Sequence, residues 1–129
     1  MGLDMFGYVA ADAGQWREYH NNYDWEKDES VIPKPTEISY WRKHQNLHDW
    51  MQQRWLDRGN YGDFNGDELE LTEQDIDDLE QAVEHDQLPT KFPFDSGTND
   101  YYKERDLQFI RDARAHLFLG LRVFYNSSW

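Results

Sequence analysis

The sequence predicts a single α+β domain over residues 1–129, with a small antiparallel sheet packed against about three helices. Apolar and small residues alternate near the start of the chain, which predicts a strand at residues 3–9. LRVFYNSSW (121–129) reads as a closing strand, predicted over residues 121–125. Apolar residues recur at helical spacing in three internal segments, which predicts helices near residues 37–57, 73–85 and 100–119. In a chain with room for one core, the two outer strands should pair and the helices should cover one face.

The expected core relies on aromatic side chains. A mean hydropathy of -1.04 and a net charge of -13 lean toward the composition of disordered chains. Six Trp, eight Tyr and seven Phe argue against disorder, because each buried ring removes roughly 150–250 Å² from water. We therefore expect a folded domain with a highly charged surface.

The first part of the chain reads as a strand, a long loop and a helix. The segment LDMFGYVA (residues 3–10) alternates as a strand does, and residues 11–35 form a polar loop with at most a short helix at residues 14–19. Thr36 is a candidate cap for the helix over 37–57, which Arg58 and Gly59 would end. Its apolar stripe would comprise Ile38, Trp41, His48, Met51 and Trp55.

The second part reads as a strand, two helices and a closing strand. ELELT (68–72) is a candidate short strand, and Thr72 with Asp75 resembles a capping box before helix 73–85. The inward residues of that helix would be Ile76, Leu79, Ala82 and Val83. The last helix would face the core with Leu107, Ile110, Ala113, Leu117 and Phe118 and end at Gly120. We expect the most buried side chains to include Trp41, Trp55, Leu79, Ile110 and Leu117.

Acidic residues are concentrated in one segment. Between Asp57 and Asp86, twelve Asp and Glu face a single Arg, which gives the segment a net charge of -11. Such a block repels nucleic-acid phosphate and anionic lipid, so no direct nucleic-acid or membrane partner is expected. It would attract a basic protein surface. The alternative is a solvated face that only keeps the protein soluble. The candidate partner-binding residues are Asp63, Asp67, Glu70, Glu73, Asp77, Glu80 and Glu84.

The usual signatures of metal sites and catalysis are incomplete. His44 and His48 have the spacing of zinc ligands, but Gln45 stands where a zinc protease has its glutamate, which favours a packing or hydrogen-bonding role for His48. DFNGDELELTEQ (63–74) imitates a calcium loop, with its glycine at position four and Gln74 at position twelve. The chain has no cysteine, no phosphate-binding glycine loop and no nucleophile motif. We expect no metal, cofactor or catalytic residue.

No apolar run is long enough for a signal peptide or a membrane helix, so we expect a soluble intracellular protein. The strongest candidate for ligand contact is EISYWRKHQNLHDW (37–50). Arg42 and Lys43 stand beside aromatic residues and could hold a phosphate or carboxylate. Alternatively, both side chains could extend toward acidic neighbours.

Several motifs together resemble a family of small, uncharacterised phage and prophage proteins. They are the MGLDM start, EISYWRK at 37–43, LHDW at 47–50, LPT at 88–90, Tyr101-Tyr102 before Asp106-Leu107, and YNSSW at 125–129. Similar proteins often carry a run such as GFFFG after the LPT turn, where this chain reads KFPFDSG. A pocket lined by that loop would therefore be altered here.

The resemblance implies a phage origin, a location in the host cytoplasm and no assigned activity. It also groups polar residues that could lie close together in the fold. The candidate ligand-binding residues are Asp4, Tyr40, Arg42, Lys43, His48 and Tyr101, near the Ser127-Ser128-Trp129 end. The leading hypothesis is an accessory protein that binds a host protein with a basic surface. The alternative is a binder of, or enzyme on, a small anionic ligand; a virion component or homo-oligomer also stays open.

Overall fold

Four antiparallel strands and three helices make up the part of the chain that the computed structural model describes, residues 2–11, 36–89 and 96–129. The strands form one sheet in the order β2-β1-β4-β3. In chain order the elements are β1 (Asp4–Ala10), β2 (Thr36–Arg42), α1 (Gln45–Asp57), β3 (Glu68–Leu71), α2 (Glu73–Glu84), α3 (Ser96–Phe118) and β4 (Arg122–Ser128). The possible short helix at 14–19, most of the loop predicted over 11–35, and residues 90–95 lie outside the described residues.

The predicted pairing of the two outer strands is confirmed. β1 runs antiparallel to β4, from the pair Asp4–Ser128 to the pair Ala10–Arg122. β3 pairs with the other side of β4, and β2 pairs with the other side of β1. The α+β fold class is therefore as the sequence predicts, with β1 and β4 as the two central strands.

The prediction of one helix over residues 37–57 is wrong in its first part. Residues 36–42 form the edge strand β2, so Thr36 opens a strand and does not cap a helix. The register passes from the pair Gly7–Ser39 to the pair Tyr8–Glu37, so a bulge at Ile38 interrupts the alternation that would have marked a strand. Lys43 then takes a positive φ of 59°, and its N–H donates to the Leu3 carbonyl at 2.8 Å. α1 begins only after this turn.

The remaining elements lie close to their predicted bounds. β3 matches the segment ELELT, and α2 matches helix 73–85. The capping box is confirmed, since the Asp75 N–H donates to Thr72 Oγ1 at 3.2 Å and the Thr72 N–H donates to Asp75 Oδ2 at 2.8 Å. α3 begins at Ser96, one turn earlier than predicted.

One face of the sheet and the apolar sides of all three helices share a single core. Trp41, Trp55, Leu79 and Ile110 are buried as predicted. Trp41 reaches the core from a strand, because its partner in the register is the buried Met5. The shared core also contains Leu47, Met51, Ile76, Val83, Phe109, Ala113, Val123 and Tyr125.

The end of α3 departs from the predicted core. Leu117 is only partly buried, and Phe118, predicted to face inward, is 87% exposed. The helix ends at Phe118, and Gly120 turns the chain with a positive φ of 86° toward β4. Phe118 therefore projects from the last turn.

Gly7 leaves space that the ring of Phe109 uses. A Cβ at position 7 would lie 2.5 Å from Phe109 Cε1, too close for ordinary contact. We predict that Gly7→Ala lowers the free energy of unfolding by about 1–3 kcal/mol through overpacking, measured by urea denaturation. Combined with Phe109→Leu, it should cost clearly less than the sum of the two single changes. If the losses in unfolding free energy simply add in the double variant, then contact with the Phe109 ring is not the reason that position 7 requires glycine.

Candidate functional site

A groove lies between the open edge of the sheet and α3. We call it the edge groove, and its volume is about 860 Å³. One wall is the edge strand β2 and the other is the middle of α3. The lining residues are Glu37, Ile38, Ser39, Tyr40 and Arg42 of β2, and Tyr102, Glu104, Arg105, Gln108 and Phe109 of α3.

Two side chains of α3 hold the edge strand. Arg105 Nη1 donates to the Tyr40 carbonyl at 2.6 Å, and the Tyr102 hydroxyl donates to the Arg42 carbonyl at 2.6 Å. Both carbonyls point away from β1, where an edge strand leaves its backbone groups unpaired. These bonds fix the position of the groove walls and block part of the edge against further strand pairing.

Sheet register brings three of the predicted ligand-binding residues together. Asp4 and Arg42 are partners across β1 and β2, and the Tyr40 hydroxyl donates to Asp4 Oδ1 at 2.6 Å. This hydrogen bond to the carboxylate raises the pKa of the Tyr40 hydroxyl above its usual value. Tyr40 and Arg42 line the groove, and Asp4 orients the Tyr40 ring beside it.

A buried carboxylate supports the groove from below. Asp106 Oδ1 accepts a bond from Trp41 Nε1 at 2.8 Å, and Asp106 Oδ2 lies 2.8 Å from His44 Nε2. The His44 ring stacks on the ring of Tyr102, with centroids 4.1 Å apart. Asp106 thus ties the β2–α1 junction to α3. Among the described residues, His44 Nδ1 has no hydrogen-bond partner.

The other predicted ligand-binding residues lie apart from the groove walls. His48 is buried, with Nδ1 2.8 Å from the Tyr125 hydroxyl and its ring stacked on Phe64. Burial raises the pKa of Tyr125 well above its usual value. Lys43 is exposed at the end of β2 but does not line the groove, and the side chain of Tyr101 lies outside the described part.

The cations of the described residues divide into two groups. Arg54, Arg58, Lys103, Arg114 and Arg122 each lie within ion-pair distance of a carboxylate. Within the described ranges, no ion pair involves Arg42, Lys43, Arg105 or Arg111. Arg42 and Arg105 belong to the second group, and both line the edge groove.

The acidic segment also divides. Arg114 bonds Asp77 and Glu80, each at 2.9 Å, and Arg122 pairs with Glu70. The other four predicted partner-binding residues form no ion pair with any described residue: Asp63, Asp67, Glu73 and Glu84. The acidic segment therefore contains both carboxylates that are paired with arginine and carboxylates that form no ion pair with a described residue.

Asp75 is the most fully engaged carboxylate of this segment. It is buried and accepts bonds from Thr72, Arg54 and Arg58. Burial raises its pKa, but the hydrogen bond from the Thr72 backbone and the Arg58 guanidinium together hold the pKa below its usual value. Asp75 therefore serves the capping box and the packing of α1 on α2.

The calcium-like loop is tied to the end of β4. Asn65 Nδ2 donates to the Trp129 carbonyl at 2.7 Å, and the Trp129 N–H donates to Asn65 Oδ1 at 3.0 Å. This side chain, at a ligand position of the imitated motif, is thus already used. Among the described residues, no group of three or more His, Asp or Glu could hold a metal ion.

Comparisons with protein-family models, curated proteins and solved structures found no match to this chain. No helix among the described residues is long and apolar enough to cross a membrane.

Proposed function

We propose that this protein is a phage-type accessory protein that acts by binding a protein of the host cell, without catalysis of its own. The phage origin rests on the motif resemblance. The observation that supports binding is the set of carboxylates that no Lys or Arg of the described residues neutralises. They lie in the loop before β3 and at both ends of α2: Asp63, Asp67, Glu73 and Glu84.

The free carboxylates are better suited to a partner than the paired ones. Asp77 and Glu80 already share the Arg114 guanidinium, so a partner would have to compete for them. Glu73 and Glu84 are exposed at opposite ends of α2, about 16 Å apart at 1.5 Å per residue. In a chain with a net charge of -13, they would steer a basic surface and chiefly raise the rate of association.

Two double variants of α2 test this proposal with the same change in net charge. Glu73→Gln with Glu84→Gln removes two free carboxylates, and Asp77→Asn with Glu80→Gln removes two paired ones. We expect a partner captured from infected cells to associate several-fold more slowly with the first variant at low salt, with a smaller change for the second. Surface plasmon resonance over a salt series measures both rates. Equal association rates for the wild type and the first variant would show that these carboxylates do not steer a partner and contribute only to solubility.

A second candidate function is the binding of an anionic ligand in the edge groove. Its support is that Arg42 and Arg105 line the groove and form no ion pair with any described residue, although Asp and Glu outnumber Lys and Arg by 26 to 13. Titration with succinate or inorganic phosphate should shift the amide resonances of β2 and α3. The double variant Arg42→Gln with Arg105→Gln should lose those shifts. Equal shifts in both proteins would place anion binding elsewhere.

A further inference from the structure

We propose that the ligand of the edge groove is an extended, acidic segment of a partner protein that places a carboxylate against Arg42 and Arg105. This inference rests on the second candidate function, the binding of an anion in that groove. It names the occupant as a peptide chain about five or six residues long.

The exposure of the two guanidinium groups argues against a small free anion. Arg42 and Arg105 are both exposed. Because water and salt screen an exposed ion pair, each such pair raises affinity by about fivefold at most. Two such contacts leave a free carboxylate or phosphate weakly held. A ligand of useful affinity must therefore also bury apolar surface in the groove.

The groove offers that surface along its length. Ile38 is partly exposed at the bulge of β2, and Tyr40 is 37% exposed. Tyr102 forms part of the opposite wall, with Phe109 buried beneath. These apolar and aromatic groups would contact the side chains of an extended segment while the carboxylate meets the arginines.

The charges along β2 give the groove a direction. Glu37 and Arg42 lie at opposite ends of the wall, about 16 Å apart at roughly 3.3 Å per residue. An extended segment of five or six residues spans this distance. Its carboxylate belongs at the Arg42 end, and a neutral or basic side chain suits the Glu37 end.

The segment would bind mainly through side chains. The Tyr40 and Arg42 carbonyls already accept bonds from Arg105 and Tyr102, so they are not free to pair with an added strand. The net charge of -13 repels an acidic segment at long range. At physiological salt this repulsion is screened beyond about 8 Å, while the local contacts in the groove persist.

A panel of dye-labelled hexapeptides tests the inference by fluorescence polarisation at physiological salt. Each has three central positions of valine, threonine or tyrosine, two acidic residues at one end and a lysine at the other. The matched panel carries amides in place of the carboxylates. We expect the best acidic peptides to bind about five- to twentyfold more tightly than their amide counterparts.

Four variants locate the contact. Arg42→Gln and Arg105→Gln should each remove most of the preference for acid over amide. Arg111→Gln, on the same helix and also without an ion pair in the described chain, should keep it. Gln108→Trp, which narrows the groove and leaves both arginines in place, should weaken every peptide.

The outcomes separate this inference from the anion site on which it rests. Peptides that bind no more tightly than succinate or phosphate would overturn the peptide inference and leave the anion site standing. Equal binding of acidic and amide peptides, or no binding of either, would overturn the inference. Absence of both peptide and free-anion binding would overturn the anion site as well.

Discussion

Replacing Asp106 with alanine should lower the free energy of unfolding by about 3–5 kcal/mol, because it breaks a buried, hydrogen-bonded network. The Asp106 side chain is 1% exposed and bonds both Trp41 Nε1 and His44 Nε2. In the variant, Trp41 Nε1 and His44 Nε2 would stay buried but lose their hydrogen bonds to Asp106. A buried polar group that lacks a hydrogen-bond partner lowers stability. Urea denaturation followed by tryptophan fluorescence measures the loss.

Two companion variants make this result specific. Asp112→Ala removes a carboxylate from the same helix, where it accepts a bond from exposed Gln108, and should change stability by no more than about 0.5 kcal/mol. Asp106→Asn keeps one acceptor for Trp41 Nε1 and should fall between the wild type and Asp106→Ala. A loss below about 1 kcal/mol for Asp106→Ala would contradict a stabilising role for this network.

Replacing Trp41 with alanine should cost about 3–5 kcal/mol, through lost burial and the cavity left behind. Trp41 is fully buried and meets the Phe109 ring edge-on, with centroids 5.0 Å apart. Trp41→Phe should cost less than Trp41→Ala, because it keeps a buried aromatic ring. It should still lower stability, because it loses the bond to Asp106. Tyr61→Ala is the control, since Tyr61 is 90% exposed and its loss should change little. An unchanged melting temperature for Trp41→Ala would place this side chain outside the core.

Local signals sufficed for most of the fold. β1 alternates clearly between partly exposed and buried residues, and the Thr72–Asp75 capping box marks the start of α2. β2 was missed because the spacing of Ile38 and Trp41 also fits a helix that continues into α1. The bulge at Ile38 interrupts the alternation, and only pairing with β1 decides for a strand. Strand pairing of this kind depends on residues far apart in the chain, so a local pattern cannot reveal it.

The sequence predicted only part of the candidate site. Asp4, Tyr40 and Arg42 come together as proposed from the shared motifs, but through strand register and not through a helix face. His48 lies apart from them in the core and bonds the Tyr125 hydroxyl, which agrees with the packing and hydrogen-bonding role favoured for it in the sequence. Asp106 was noted only as part of the Asp106-Leu107 motif, and no buried role was predicted for it, because one carboxylate among many in an acidic chain resembles a surface residue.

The sequence alone also did not predict the ion pairs that neutralise part of the acidic segment. Arg114 lies on α3 and its partners Asp77 and Glu80 lie on α2, while Arg122 of β4 meets Glu70 of β3. Each pair joins two elements. The charge of a segment therefore overstates the charge that it presents, because cations from distant parts of the sequence fold onto it.

The placement of β1 and β4 in the middle of the sheet has a consequence for how the protein is made. Their pairing joins the first and last strands of the described chain, so it waits until nearly all of that sequence has left the ribosome. Until then, β1 has no partner on its β4 side, and closing so long a loop carries an entropic cost. A high contact order of this kind slows folding and prolongs the exposure of strand edges. The sheet should therefore close only after β4 has emerged, and nascent chains should depend on chaperones more than those of a helical protein of the same length do.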